Sequence, residues 1–157
     1  LEALAKIDND CIGTFYFIGG GDRMEAYKEK SANLKATIKF EGFLPKAQIN
    51  EIYKRCHFIV LPSDNEGFPK VIGEAMNYGC IPIVSNVSCI GQYIVQGKNG
   101  FLIEPLNAET LLTIFEACMV LKGDIFKEMM VANYHLSEKF TYAYYNEQLK
   151  SKILAID

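Results

Sequence analysis

Short, β-rich apolar runs alternate with stretches of helical periodicity through the first two thirds of the chain. "TFYFIG" (14–19), "TIKFEG" (37–42), "HFIVLP" (57–62), "IPIVS" (81–85) and "GFLIE" (100–104) each predict a buried strand. Between them, "RMEAYKEKSAN", "KAQINEIYKRC" and "PKVIGEAMNYG" predict helices. In the second of these, Ile49, Ile52 and Tyr53 share one helical face, and in the third Val71, Ile72, Ala75 and Met76 do so. Gly79 stands where that helix should stop. Strand alternating with helix predicts an α/β fold, a parallel sheet with helices on both faces. After residue 105 the pattern is helical only, starting at about residue 107 with Asn107 as a plausible N-cap and continuing through "DIFKEMMVANYHLSEKF" and "TYAYYNEQLKSKILAID". "LEALAKI" at the start reads as the tail of an amphipathic helix that in such a fold normally follows a strand.

Composition narrows the class. The 157 residues suit a single domain, 1–157, with a sizeable core. Half of the residues are apolar, and the net charge of −3 gives no footprint for nucleic acid. No apolar run approaches a membrane span, and no basic start leads into an apolar segment. Cys11, Cys56, Cys80, Cys89 and Cys118 are odd in number, widely spaced and mostly set in apolar runs, which predicts unpaired thiols in a reducing compartment. With only His57 and His135, far apart, no metal site is expected.

Ligands of open α/β sheets bind outside the carboxyl ends of the strands. The segments there are "GGGDR", "EGFLP", "PSDNEGFP" and "SNVSCIG". Gly19, Gly20 and Gly21 permit positive φ and close backbone approach, yet they fit neither G-x-G-x-x-G nor a P-loop. A tight strand-to-helix turn explains them equally well. "PSDNEGFPKVIGEAM" (62–76) is more informative. Pro69 suits the first position of a helix, which would leave the amides of Lys70, Val71 and Ile72 as donors for an anion such as a diphosphate. Gly67 permits close approach. Glu74, a turn further in, offers a carboxylate to two hydroxyls at once, as a ribose diol requires. Glu66 precedes the helix, beside whatever lies beyond the phosphates. Each acid alone reads as a solvated surface residue; the pair framing a Gly-Pro helix start favours a site.

"EGFPKVIGEAMNYGCIPIVS" resembles the Glu-x7-Glu signature of retaining glycosyltransferases of the GT-B fold, family 4, also called glycosyl transferases group 1. The likeness extends to "FYFIGGGDRMEAY", "IKFEGFLPKAQINEIYKRCHFIVLPS", "NGFLIEPLNAETL" and "KFTYAYYNEQL", nearly the whole chain. The resemblance implies a Rossmann-like C-terminal half of such an enzyme, which binds a UDP- or GDP-sugar. Its donor site would comprise Gly20, Gly21, Gly42, Phe43, Glu66, Gly67, Phe68, Lys70, Val71 and Glu74. Glu74 would hold the ribose, and Glu66 would lie beside the donor sugar as the catalytic candidate. The amides near Phe68, Lys70 and Val71 would meet sugar hydroxyls and diphosphate, and Gly42 and Phe43 would adjoin the base. No cofactor or metal is implied. The acceptor, a glycan or lipid, would be bound by an N-terminal domain absent from this chain. Cell-surface polysaccharide, lipopolysaccharide or glycolipid synthesis in the cytoplasm is implied, with peripheral association of the full enzyme at the inner membrane face. Two departures stand out. The family's basic Arg–Lys pair has no counterpart here, and Ser88, Cys89, Ile90, Gly91 and Gln92 replace its usual Gly-Gly-Ile-Pro-Glu.

A non-catalytic nucleotide-sugar-binding module is the competing reading, and a flavodoxin-like domain with a chance motif is the third. A doubly wound sheet of this type has strand order 3-2-1-4-5-6, and the resemblance implies that the run at 14–19 is its second strand and that at 57–62 its fourth. The first strand, apparently missing, would precede Leu1. The expectation is that another chain's strand or upstream residues fill this slot, rather than the two runs pairing directly.

Overall fold

The structure is a computed structural model that describes residues 1–7, 13–67 and 69–154. After a short helix α1 (Glu2–Ala5) the elements alternate: β1 (Thr14–Ile18), α2 (Met24–Ser31), β2 (Thr37–Gly42), α3 (Lys46–Tyr53), β3 (Phe58–Leu61), α4 (Lys70–Met76), β4 (Ile81–Ser85) and β5 (Phe101–Ile103). Helices α5 (Ala108–Met119), α6 (Gly123–Ser137) and α7 (Tyr142–Leu149) complete the chain, with a 3-10 turn at Glu138–Phe140 and a π turn at Lys150–Leu154. All five predicted strands form, within a residue or so of the expected bounds.

The strands are parallel and fall into two groups, β1 beside β2, and β3–β4–β5 in that order. The runs at 14–18 and 58–61 therefore do not pair with each other, as anticipated. One core nevertheless spans both groups. Phe15 and Ile38 pack into the same cluster as Phe58, Val60, Ile81, Ile83, Phe101 and Ile103, roofed by α1 and α5. Phe15 also meets Phe115 of α5 edge-on, with ring centroids 5.8 Å apart. The alternate residues face the opposite way. Leu61, Val84 and Leu102 pack with Ile72 and Met76 of α4, while Ile59 packs with Ile49 and Tyr53 of α3 and with Ala75 of α4. In β3, β4 and β5 residues of period two thus serve two helical layers, and this is why these three read as apolar runs.

The buried stripe of α4 comprises Ile72, Ala75 and Met76, all 0% exposed; Val71, expected on that face, is 40% exposed instead. Gly73 is also buried, because the Phe140 ring lies across it, 3.2 Å from where a Cβ would stand. Asn107 caps α5 as expected, its Oδ1 accepting the Thr110 amide at 2.8 Å. Cys56, Cys80, Cys89 and Cys118 are free thiols, and Cys11 lies outside the described residues.

Candidate functional site

The carboxyl ends of parallel strands bring the chain's polar loops to one rim. The first two loops are stitched together: the Gly19 amide donates to the Gly42 carbonyl at 2.7 Å. Both residues have positive φ, +117° at Gly19 and +64° at Gly42, where a side chain would be strained. Gly20 has a second constraint, since a Cβ there would lie 2.5 Å from Cε2 of Phe43. The Phe43 ring thus covers the glycine loop while remaining 87% exposed. The Gly21 carbonyl accepts the Met24 amide at 3.1 Å, at the start of α2. This loop serves as a strand-to-helix turn and lies against the Gly42–Phe43 segment.

At α4 the boundary differs from the expectation by one residue. Pro69 is the N-cap, with φ −67° and ψ 123°, and Lys70 is the first helical residue. The Pro69 carbonyl accepts the Ile72 amide at 3.0 Å. Ile72 is therefore no anion donor, which corrects the sequence reading. A capping proline has no N–H to offer, so Lys70 and Val71 supply the open amides of the first turn. Phe68 lies outside the described residues. Gly67 is exposed with nothing within 4 Å of a notional Cβ, leaving room for close approach.

The two acids sit in different surroundings. Glu66 is partly buried and accepts a long hydrogen bond from Ser63 Oγ, 3.4 Å. Glu74 accepts from Lys46 Nζ at 2.8 Å, and its side chain is 34% exposed against 71% for the lysine. The bridge raises the Lys46 pKa, through its hydrogen bond to Glu74 and then the carboxylate's charge. Lys46 opens α3, directly after the Gly42–Phe43 loop, so Glu74 is tied to the element that carries this loop. Asn50, Asn77 and Tyr78 complete a cleft of about 350 Å³ around the pair. Gly20, Gly42, Phe43, Lys46 and Glu74 thus follow one another through contacts and a three-residue chain step. Glu66, Gly67, Lys70 and Val71 adjoin Glu74 through α4 and the loop before it.

Sequence reasoning missed Lys46, since no periodicity links it to a carboxylate 28 residues away. It also missed a contact at the ends of β4 and β5, where Asn86 Nδ2 donates to Glu104 Oε2 at 2.6 Å. An acid immediately after a strand was the available signal there. Gln92 ends a 3-10 turn, Ile90–Gln92, and is exposed. Among the described residues no group of three or more His, Cys, Asp or Glu could hold a metal ion. No helix among them is long and apolar enough to cross a membrane.

Residues 1–124 match the family model described as "Glycosyl transferases group 1". An uncharacterized glycosyltransferase of Methanocaldococcus jannaschii is 33% identical over 115 residues, covering 71% of this chain and 31% of that protein. The UDP-Gal:alpha-D-GlcNAc-diphosphoundecaprenol alpha-1,3-galactosyltransferase of Escherichia coli is 34% identical over 103 residues, 62% of this chain and 26% of that one. The chain therefore spans about a third or less of these relatives' length. The crystal structure of Anabaena HepE in complex with UDP-glucose superposes with a TM-score of 0.80 at 21% identity, over 99% of this chain and 44% of that one. The open parallel sheets with helices on both sides match C-terminal domains of the GT-B fold.

Proposed function

Because this chain belongs to the glycosyl transferases group 1 family, we propose that it is the donor-binding domain of a retaining glycosyltransferase that uses a nucleotide-diphosphate sugar. The observation that carries the reading is the placement of Glu74. It lies one turn inside a helix that starts at a strand's carboxyl end, it is partly buried, and its carboxylate is tied at 2.8 Å to the helix following the Gly42–Phe43 loop. A ribose on Glu74 places a base towards Gly42 and Phe43 and a diphosphate towards the amides of Lys70 and Val71, at the positive end of α4. Gly67 lets the diphosphate approach the backbone, and the glycine loop at Gly20 and Gly21 flanks it. Glu66 then adjoins the sugar.

In this arrangement the bond between the sugar's anomeric carbon and the diphosphate oxygen breaks, a bond to an acceptor hydroxyl oxygen forms, and that hydroxyl's proton passes to the departing diphosphate. The departing diphosphate gains charge, so donors fixed at its position stabilise the transition state more than the ground state. Here those donors are the two helix amides, with Lys70 as the adjacent cation. Glu66 is placed to hold a sugar hydroxyl and to stabilise positive charge developing on the ring. The E. coli relative is named for a UDP-sugar donor and a lipid-linked acceptor. This supports a UDP-sugar as the first donor to try and a glycan or glycolipid acceptor, bound by residues outside this domain.

Calorimetric titration with UDP, GDP and their sugar conjugates tests the reading. A hydrogen bond to a charged group contributes about 1.5–3 kcal/mol. Glu74→Ala should therefore weaken nucleoside diphosphate binding about tenfold or more with the fold intact. Unchanged affinity in the folded variant would refute the assignment. Glu66→Gln should spare the plain diphosphate and weaken the sugar-bearing donor; equal losses for both would contradict the division of roles.

A further inference from the structure

We infer that Lys46 is a positioning residue for the donor ribose, acting through Glu74, an inference that rests on the donor-site reading above. A carboxylate that binds a diol must present both oxygens in one plane towards the two hydroxyls. A glutamate on a helix has three side-chain torsions, and a partly exposed one samples several rotamers. In this protein Oε1 of Glu74 is held at 2.8 Å by an ammonium from a different helix. The tether fixes the rotamer, and Oε1 keeps a second lone pair available while Oε2 has both. Lys46 opens α3, so its backbone is set by Pro45, whose carbonyl accepts the Gln48 and Ile49 amides at 2.9 and 3.2 Å. The lysine is thus anchored to the loop that carries Gly42 and Phe43, and the orientation of Glu74 is referred to that loop.

The pair is more than an incidental surface bridge in its placement. The cleft around it is polar, with Asn50 and Asn77 beside the two charges and Tyr78 closing one side. Of these residues, Tyr78 stacks on the buried Tyr53 ring at 6.0 Å, so its place in the lining is fixed by packing. The other two ion pairs among the described residues, Lys28–Glu25 within α2 and Lys54–Glu51 at the C-terminal end of α3, have i,i+3 spacing and link no separate elements. Only Lys46–Glu74 among them joins two elements of the rim.

The test separates this role from a general effect of positive charge. The protein is titrated with the tighter-binding of UDP and GDP and with the 2′,3′-dideoxy analogue of the same nucleotide, which lacks the diol. Wild type should prefer the ribonucleotide, and Glu74→Gln should erase most of that preference. Lys46→Met should weaken the ribonucleotide by about two- to fivefold, the range of an exposed pair, and leave the dideoxy analogue unchanged. Lys46→Arg should restore most of the preference. Thermal melts of each variant confirm the fold. If Lys46→Met weakens both nucleotides equally, or neither, while Glu74→Gln erases the preference, the role assigned to Lys46 is overturned. If Glu74→Gln itself leaves the preference intact, the donor-site reading fails, and the role of Lys46 falls with it.

Discussion

Gly20 and Gly100 both lack room for a methyl group, yet for different reasons, and the difference can be measured. A Cβ at Gly20 would strike Cε2 of Phe43, at 2.5 Å, the tip of a ring that is 87% exposed and free to swing aside. A Cβ at Gly100 would strike the Pro82 carbonyl oxygen at 2.8 Å and Ile94 Cγ2 at 2.7 Å, backbone and core that cannot swing. Gly20→Ala should thus stay within about 0.5 kcal/mol of wild-type stability. Gly100→Ala should lose roughly 1–3 kcal/mol through overpacking. Urea midpoints of the two variants check this, and a larger loss at Gly20 would contradict the argument. Legibility differs between residues in the same way. Glu74 could be singled out because its partners in the motif are local: a strand, a glycine, a proline and a helical period. Lys46 could not, because a salt bridge between two helices leaves no mark in either helix's own pattern. The Ile72 amide was misjudged because the first turn of α4 closes with a bond from that amide to the carbonyl three residues back, a 3-10-type contact that no sequence pattern marks.

At the scale of elements, β3, β4 and β5 were legible because both of their faces are covered and so present apolar runs, whereas β2 was legible from its alternation, with Lys39 exposed. The start of α5 was legible for a local reason, an asparagine whose side chain bonds the amide three residues on. Its loss should cost about 1 kcal/mol in Asn107→Ala and only a few tenths in Asn107→Gly. Paired melts that fail to rank the two in that order would argue against capping as the cause. Helix α4 was less legible. Its buried stripe was drawn to include Val71, whereas the Phe140 ring packs across Gly73 on another side. Tyr93 meets the same ring edge-on at 5.1 Å, so α4 is covered by a late turn as well as by the sheet. The contact of Phe140 with Gly73 spans more than sixty residues and no local pattern encodes it. The π turn at Lys150–Leu154 is likewise unmarked by any helix stop in the sequence.

Over the whole molecule, the two strand groups are joined by shared packing rather than by a ladder between β1 and β3. Cys56, Cys80 and Cys118 belong to this packed interior, and the odd number, wide spacing and mostly apolar settings of the five cysteines predict unpaired thiols. Alkylation in denaturant without reductant should modify five thiols per chain, and fewer would reveal a disulfide. Burial also sets how the molecule responds to alkali. It pushes the Cys80 and Cys118 thiols from 9.0 up to about 12, and raises Cys56 in the same direction. Tyr53 rises from 10.0 to about 12, through burial first and then the charge of Glu74. All four groups are neutral when protonated, and the folded state holds the proton more tightly than the unfolded chain does. The unfolded chain therefore binds fewer protons above pH 9, and stability must fall as pH rises through that window. The Lys46 and Lys54 pairs act with the same sign, but they are exposed and screened by solvent, so their share is small. The urea midpoint should be flat in these groups' contribution below about pH 9 and decline between about 9 and 12. Cys80→Ala removes one contributor, so its midpoint should start lower, because a buried group is lost, and then decline less steeply. A wild-type midpoint unchanged up to pH 11, or a variant slope as steep as wild type, would show that these thiols do not control the alkaline limit.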